Sequence, residues 1–250
     1  MLSAIAQKIL IDSKPRGWVL EPDAKRIMRE AGLAVPEFRF AKTKQAALQS
    51  ANELGYPLVA KVVSPAVVHK TEAKGVVVGI DSDQALQDVV SRFSKMEGYA
   101  GVHLEKMASG VELIIGAKID GQFGPVILMG IGGTGVEIYQ DVTVRMAPLV
   151  PADVKSMMRS LKGRKLLEGY RGGEAVNHVK LTQTLLDFSK LVVDMQDYIE
   201  SIDLNPVQSW SGSSPPIPAW RSWRCRVSAR LAWRWAMSSR ICVISGCPIW

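Results

Sequence analysis

The apolar run Leu58-Val-Ala-Lys61-Val-Val63 carries one lysine at its centre. A polar loop with Ser64, His69, Lys70, Thr71 and Gly75 follows, and a second apolar run, Val76–Ile80, closes the unit. An ammonium group in such a strand is costly to bury unless it meets an anion. Two placements satisfy it: a solvated sheet face, or a phosphate group cradled by the loop. No Walker-type phosphate loop is present, so a phosphate would be held by a loop of another design.

Three further groups carry candidate chemistry. Glu105-Lys106-Met107 ends one strand and Glu112 lies on the next. A connector of this kind can hold a nucleoside, with backbone groups on the base edge and a carboxylate accepting from ribose hydroxyls. Equally, these are two ordinary glutamates at strand ends. Asp203 and Asn205 are two residues apart, so on a strand they share a face. Hard oxygen ligands on one face suit Mg²⁺; the plainer alternative is a polar strand end entering a turn at Pro206. Arg145, between Val144 and Met146, is a cation on a short strand and a candidate phosphate contact.

Gly130-Ile-Gly-Gly-Thr-Gly135 is not a dinucleotide fingerprint, because Val136–Tyr139 reads as extended rather than as the required helix. Its glycines suit a turn, or a close approach of backbone to a phosphate or another strand.

The elements that must position these residues follow from the periodicity. Helices are expected over about 3–11, 21–31, 44–54, 81–96 and 176–195, with another opened by Pro151-Ala-Asp153. Thr43 and Asp81 are candidate N-caps, and Gly55 a stop. Strands are expected over 38–41, 58–63, 76–80, 102–107, 111–119, 125–129, 136–139, 143–146 and 199–204, with an Asp120-Gly121 turn. The order predicts an α+β fold with mixed sheets rather than a regular βαβ array.

Composition narrows the function classes. The formal net charge is +7, but residues 206–250 hold six arginines and no acid, so the remainder is nearly neutral. It offers no basic stripe suited to nucleic acid. No run approaches bilayer length, and Met1–Lys8 lacks the features of a signal peptide, so a cytoplasmic protein without membrane attachment is expected. All three cysteines and six of seven tryptophans also fall after Val207. There the patterning is lost, as in a frameshifted end. Residues 208–250 are therefore expected to lie outside the fold and to leave the 199–204 strand with an open edge. An Arg/Trp membrane anchor would need a sustained apolar helical face, which is missing.

The ordered blocks Ala31–Pro36, Gly55–Lys61, Ser64–Lys70, Gly110–Gly116, Gln122–Glu137, Asp141–Leu149, Leu166–Gly172 and Ile202–Pro206 resemble the ATP-grasp family over about residues 15–207. Within it, the chain resembles the nucleotide-binding β subunit, or the equivalent fused domain, of ADP-forming acetyl-CoA (acyl-CoA) synthetases. The resemblance implies a two-lobed fold preceded by N-terminal helices, with lobes at 1–106 and 107–207. It implies the reaction acyl-CoA + ADP + Pi = acid + CoA + ATP, using ATP/ADP and Mg²⁺ beside a CoA-binding α subunit in a hetero-oligomer.

The resemblance also implies roles. Lys61 would contact the nucleotide phosphates, with Gly75 in the triphosphate loop. Glu105, Lys106 and Met107 would form the hinge beside adenine, Glu112 would contact ribose, and Asp203 and Asn205 would hold Mg²⁺. His69 would carry a phosphoryl group, since a neutral imidazole is an acceptor near neutral pH. Lys70 would offset the incoming charge. Arg145 and Glu137 lie in matching motifs. The chain departs from the family pattern at Lys74, where a glycine is usual, and after Pro206, where an Asp-Ala-Arg motif is missing. A succinate–CoA ligase β subunit, another ATP-grasp ligase and a non-catalytic nucleotide-binding product are the alternatives.

Overall fold

The computed structural model describes residues 1–67, 70, 72–107, 110–133, 141–209 and 222–227, with 205, 206, 208, 209 and 222–225 described by the backbone alone. His69, Thr71, Glu137 and the expected strand at 136–139 lie outside the described residues.

Two helices lead the chain, α1 (Ala4–Ser13) and α2 (Glu21–Glu30). The Ser3 hydroxyl caps α1 by accepting from the Ala6 N–H at 3.1 Å. Then come β1 (Phe38–Ala41), α3 (Lys44–Leu54), β2 (Leu58–Val63), β3 (Val76–Ile80), α4 (Asp83–Phe93) and β4 (Gly101–Lys106). Thr43 caps α3 and Gly55, at φ +78°, ends it. The α4 cap is Ser82, whose side chain accepts from the Ala85 N–H. The expected cap, Asp81, instead accepts from the Ser82 hydroxyl.

These strands form a four-stranded sheet in the order β1-β4-β2-β3. Its pairings are all antiparallel, where mixed sheets were expected. The helical connection through α3 leaves β1 and β2 pointing the same way, but β4 enters between them. One face carries Ala60, Val62, Val102 and Leu104, which pack with Leu54, Leu86 and Phe93 of α3 and α4. By alternation, the other face carries Lys61, His103 and Glu105.

The second sheet contains β5 (Val111–Asp120), β6 (Gly124–Ile131), β7 (Val142–Met146), β8 (Ile199–Ser209) and β9 (Ser222–Val227). Its order is β7-β6-β5-β8-β9, again antiparallel throughout. The Asp120 carboxylate accepts from the Gln122 and Phe123 N–H groups at 2.8 and 3.0 Å, fixing the β5–β6 turn. Helices α5 (Pro151–Ser160), α6 (Arg164–Leu167) and α7 (His178–Met195) lie between β7 and β8.

The two cores redraw the expected lobe boundary. Ala6, Leu10, Ala24, Ile27 and Met28 of the leading helices pack with Leu113, Ile115, Met129 and Phe188 of the second lobe. The leading helices therefore belong to the second core, and residues 38–106 are an excursion from it. The expected boundary at 106–107 put these helices in the first lobe, whereas the apolar stripe of α2 packs in the second core.

The tail also departs from expectation. Pro206 does not end β8. Leu204 pairs with Ile115 and Val207 with Leu113, so the extra residue at 205–206 forms a bulge and the strand continues. A proline is tolerated there because a bulge needs no ladder donor. Beyond it, β9 pairs with β8 from Ile199↔Val227 to Asn205↔Ser222, so the expected open edge is covered. Ser222-Trp-Arg-Cys-Arg-Val227 alternates polar and apolar residues, a period-2 signal too short to stand out in its surroundings. Val227 is buried in the second core and its N–H donates to the Gly17 carbonyl at 3.0 Å. Val227→Asp is expected to destabilise the protein by about 2 kcal/mol or more in urea unfolding, because it buries a charge. An unchanged midpoint would place β9 outside the folded body.

Candidate active site

Lys61 lies in the middle of β2 and is fully buried. It is not on a solvated face. Its Nζ donates to Glu21 Oε1 at 3.0 Å and meets Glu105 Oε1 in a second short ion pair. Glu105 Oε2 pairs in turn with Lys25 Nζ. Lys70, in the turn before Gly75, donates to Glu21 Oε2 at 2.5 Å. His103 completes the group: its Nε2 is 2.9 Å from Lys25 Nζ and 3.4 Å from Glu105 Oε2, and its ring stacks on Phe38 at 4.9 Å.

Three elements build this cluster. β2 and β4 place Lys61, His103 and Glu105 on one sheet face, with Lys61 opposite His103. Helix α2 lays Glu21, Lys25 and Arg29 against that face, one turn apart. The Lys25 ammonium and Arg29 guanidinium lie 5.4 and 4.9 Å from the Phe38 ring centroid. Ala24, Ile27 and Met28 point the other way into the second core.

The electrostatics follow from burial and pairing. Burial alone would raise the Glu21 and Glu105 pKa values, but neighbouring ammonium groups outweigh it. Lys61 and Lys70 hold Glu21 well below the usual carboxylate range, and Lys25 and Lys61 do the same for Glu105. Burial works against the Lys61 ammonium too, but Glu105 and Glu21 reverse that and raise its pKa. Burial, reinforced by Lys25, pushes His103 down to about 4, so its imidazole is neutral at pH 7. With Lys25 donating to Nε2, the ring hydrogen sits on Nδ1, a buried atom with no partner among the described residues.

Glu21, His103 and Glu105 bring three potential metal ligands within 4.8 Å of one another. Lys25 and Lys61 occupy the same oxygens, so the trio is a charge-compensated cluster rather than a metal centre. Among the described residues, Lys25, Lys61 and Lys70 face the carboxylates of Glu21 and Glu105, and burial pulls the Lys25 pKa down.

The other expected residues fall into place unevenly. Glu105 is inside the cluster rather than at a hinge, because it alternates in phase with His103. Lys106 is exposed and pairs with Glu37 at 3.3 Å, and Met107 is exposed at the end of β4. Gly75 is tied by two backbone hydrogen bonds. Its N–H donates to the Lys70 carbonyl at 2.6 Å and its carbonyl accepts from Val62 at 2.8 Å. A Cβ at Gly75 would come within 2.5 Å of Val62 Cγ1, so close packing explains the glycine. Lys74 has φ +54°, a left-handed conformation in which the usual family glycine is unstrained.

On the second sheet, Glu112 and Asp203 share the face opposite the helices, with Gly116 and Leu128. A Cβ at Gly116 would lie 3.0 Å from Asp203 Oδ1, so the glycine makes room for that carboxylate. Asn205 is two residues further along β8, where only the backbone is described. Gly132 donates to the Glu112 carbonyl at 2.7 Å, so this part of the glycine loop approaches another strand. Arg145 is not brought to this face. It pairs with Ile127, one residue out of phase with Val144, and its guanidinium donates to Ser156 Oγ of α5 at 2.8 Å.

Sequence reasoning missed Glu21, Lys25 and His103. Glu21 passes for an ordinary acid in the first turn of a helix. The usable signal was joint: an acid and a lysine at i,i+4 on the polar side of α2, and His-x-Glu in phase on an otherwise apolar strand.

A family model described as an ATP-grasp domain matches residues 11–212. The chain is 40% identical over 197 residues to ADP-forming acetate–CoA ligase II subunit beta of Pyrococcus furiosus, covering 76% of this chain and 84% of that one. It is 36% identical over 214 residues to an ADP-forming 4-hydroxybutyrate–CoA ligase of Nitrosopumilus maritimus, covering 82% of this chain but only 30% of the longer relative. Among solved structures, dinucleotide forming acetyl-coenzyme A synthetase 1 of Ca. Korarchaeum cryptofilum, in complex with coenzyme A and Ca-AMPCP, superposes with a TM-score of 0.82 at 32% identity. That match covers 89% of this chain and 100% of the other. A second structure of the same enzyme holds Mg-AMPPCP, with a phosphohistidine segment pointing towards the nucleotide binding site.

The His103 shift sets a pH dependence. A folded pKa of about 4, below the unfolded 6.5, means that its contribution is present above pH 6.5 and is lost as pH falls towards 4. The loss is expected to reach up to roughly 1.4 kcal/mol per pH unit in that window. Glu21, whose pKa is lowered, adds acid sensitivity only below its unfolded value of 4.5. Urea unfolding of His103→Gln is expected to give a flatter stability profile between pH 6.5 and 4.5 than the parent. Parallel profiles would contradict the assignment.

Proposed function

Because the chain belongs to the ATP-grasp family, we propose that it is the nucleotide-binding, phosphoryl-transferring component of an ADP-forming acyl-CoA synthetase. The net reaction is acyl-CoA + ADP + Pi = acid + CoA + ATP. The observation that carries this reading is the convergence of Lys61 and Lys70 on one carboxylate. It brings the cation of strand β2 beside Lys70, the neighbour of His69 in the sequence.

In the direction of ATP consumption, an imidazole nitrogen of His69 attacks the γ-phosphorus. The bond from phosphorus to the β-bridging oxygen breaks, ADP leaves, and His69 carries the phosphoryl group. ATP synthesis is the reverse. Lys61 and Lys70 bind the phosphate oxygens and offset their charge as it redistributes. Glu112, on the face of the second sheet away from its helices, would accept from ribose hydroxyls. The backbone of residues 106–107 would meet the base. Arg145 would serve only indirectly, through its bond to α5.

Magnesium fits the hard oxygens of the second sheet. Asp203, given room by Gly116, would hold it with Asn205, and the ion would neutralise phosphate charge. Acyl chemistry would take place on a CoA-binding α subunit or domain, so a hetero-oligomer or a fused chain is the working form. The relatives named above do not favour the succinate–CoA ligase alternative. No described helix is long and apolar enough to cross a membrane.

Incubation with γ-labelled ATP and Mg²⁺ tests the assignment of His69. An acid-labile, base-stable label is expected on the parent chain and none on His69→Ala. Retention of the label by the variant would remove His69 from the reaction.

A further inference from the structure

Glu21 lies on α2, before the first strand of the excursion that carries Lys61 and Lys70. Its two oxygens serve different partners: Oε1 accepts from Lys61 at 3.0 Å and Oε2 from Lys70 at 2.5 Å. A rigid planar carboxylate used this way sets two ammonium groups side by side. Each ammonium has three N–H donors. The described contacts use two on Lys61 and one on Lys70, so both can still donate.

Charge balance calls for a second carboxylate beside Glu105 but does not fix which element supplies it. Lys61 and Lys25 already share Glu105. Helix α2 is fixed independently through Ala24, Ile27 and Met28 in the second core. What Glu21 adds is a link between two lysines from different segments, at the cost of burying a carboxylate to 3% exposure. Its backbone anchorage in the second lobe also makes the spacing of the lysine pair a property of how α2 seats on the first sheet.

We propose that Glu21 is a positioning residue that holds the Lys61 and Lys70 ammonium groups as a matched pair for the phosphates of the nucleotide. This rests on the proposed function and extends it to a helix outside the first lobe. Glu21 touches no substrate and acts through the two lysines. Moving its carboxylate should therefore weaken phosphate recognition while sparing the nucleoside.

The test uses the full chain, with Mg·ADP and adenosine titrated calorimetrically against the parent, Glu21→Asp, Lys70→Met and the double variant. Glu21→Asp keeps the charge but withdraws it by one methylene. It is expected to weaken ADP roughly tenfold, the scale of one charged hydrogen bond, and to leave adenosine within about twofold. Lys70→Met, at the edge of the cluster, is expected to reproduce that selective loss, and the double variant to add nothing to it. A lower melting temperature with unchanged ADP affinity would make Glu21 a structural ion pair only. Tighter ADP binding would make it a competitor of phosphate. Equal losses for adenosine and ADP, or additive losses in the double variant, would also overturn the proposal. A parent chain that binds no ADP would overturn the proposed function along with it, whereas the other outcomes strike this inference alone.

Discussion

A lysine fully buried in the middle of a strand must have its charge met, and the architecture around β2 answers that requirement. Desolvating one ammonium group costs several kcal/mol, and removing a partner from a buried pair costs about 3–5 kcal/mol. Glu105 meets Lys61 from the neighbouring strand and Glu21 meets it from α2. Two buried carboxylates then call for Lys25 and Lys70, and the neutral His103 lies beside the Lys25–Glu105 pair. The cluster is therefore self-consistent only as a whole. It also ties together α2, the first sheet and the turn that carries Lys70.

This constraint explains how one helix serves two lobes. The apolar side of α2 is buried in the second core, while Glu21, Lys25 and Arg29 face the first sheet. A helix apolar on both sides would weld the lobes together. One with a solvated polar side would leave the first lobe attached by its connecting segments alone. An ionic seam is strong when dry and keeps its ammonium groups at fixed positions, which suits a site that binds a charged nucleotide. The second sheet carries Glu112 and Asp203 on the face away from its helices.

Much of this was legible in the sequence. Helical stripes with caps, strands bounded by Gly and Asp-Gly, and the singular position of Lys61 placed most elements within a residue or two. What was not legible was long-range. Nothing local distinguishes Glu21 from an acid that complements a helix dipole, and nothing in 1–33 says that its apolar stripe belongs to a sheet beginning at residue 111. The sequence did not say which face of its strand Arg145 takes; it pairs with Ile127 and bonds Ser156 on the helix side. β9 escaped notice because six alternating residues are a weak signal in a Trp- and Arg-rich segment. Pro206 suggested an ending where a bulge lets the strand continue.

The central claim is that Lys61 is buried as part of a nucleotide-phosphate site rather than as a structural ion pair. The most direct measurement is calorimetric titration of Mg·ADP into Lys61→Met, an apolar replacement of similar length, with the fold verified by near-UV circular dichroism. The account predicts a loss of about 1.5–3 kcal/mol in binding free energy, the scale of a charged hydrogen bond. A folded variant that binds ADP as tightly as the parent would contradict it.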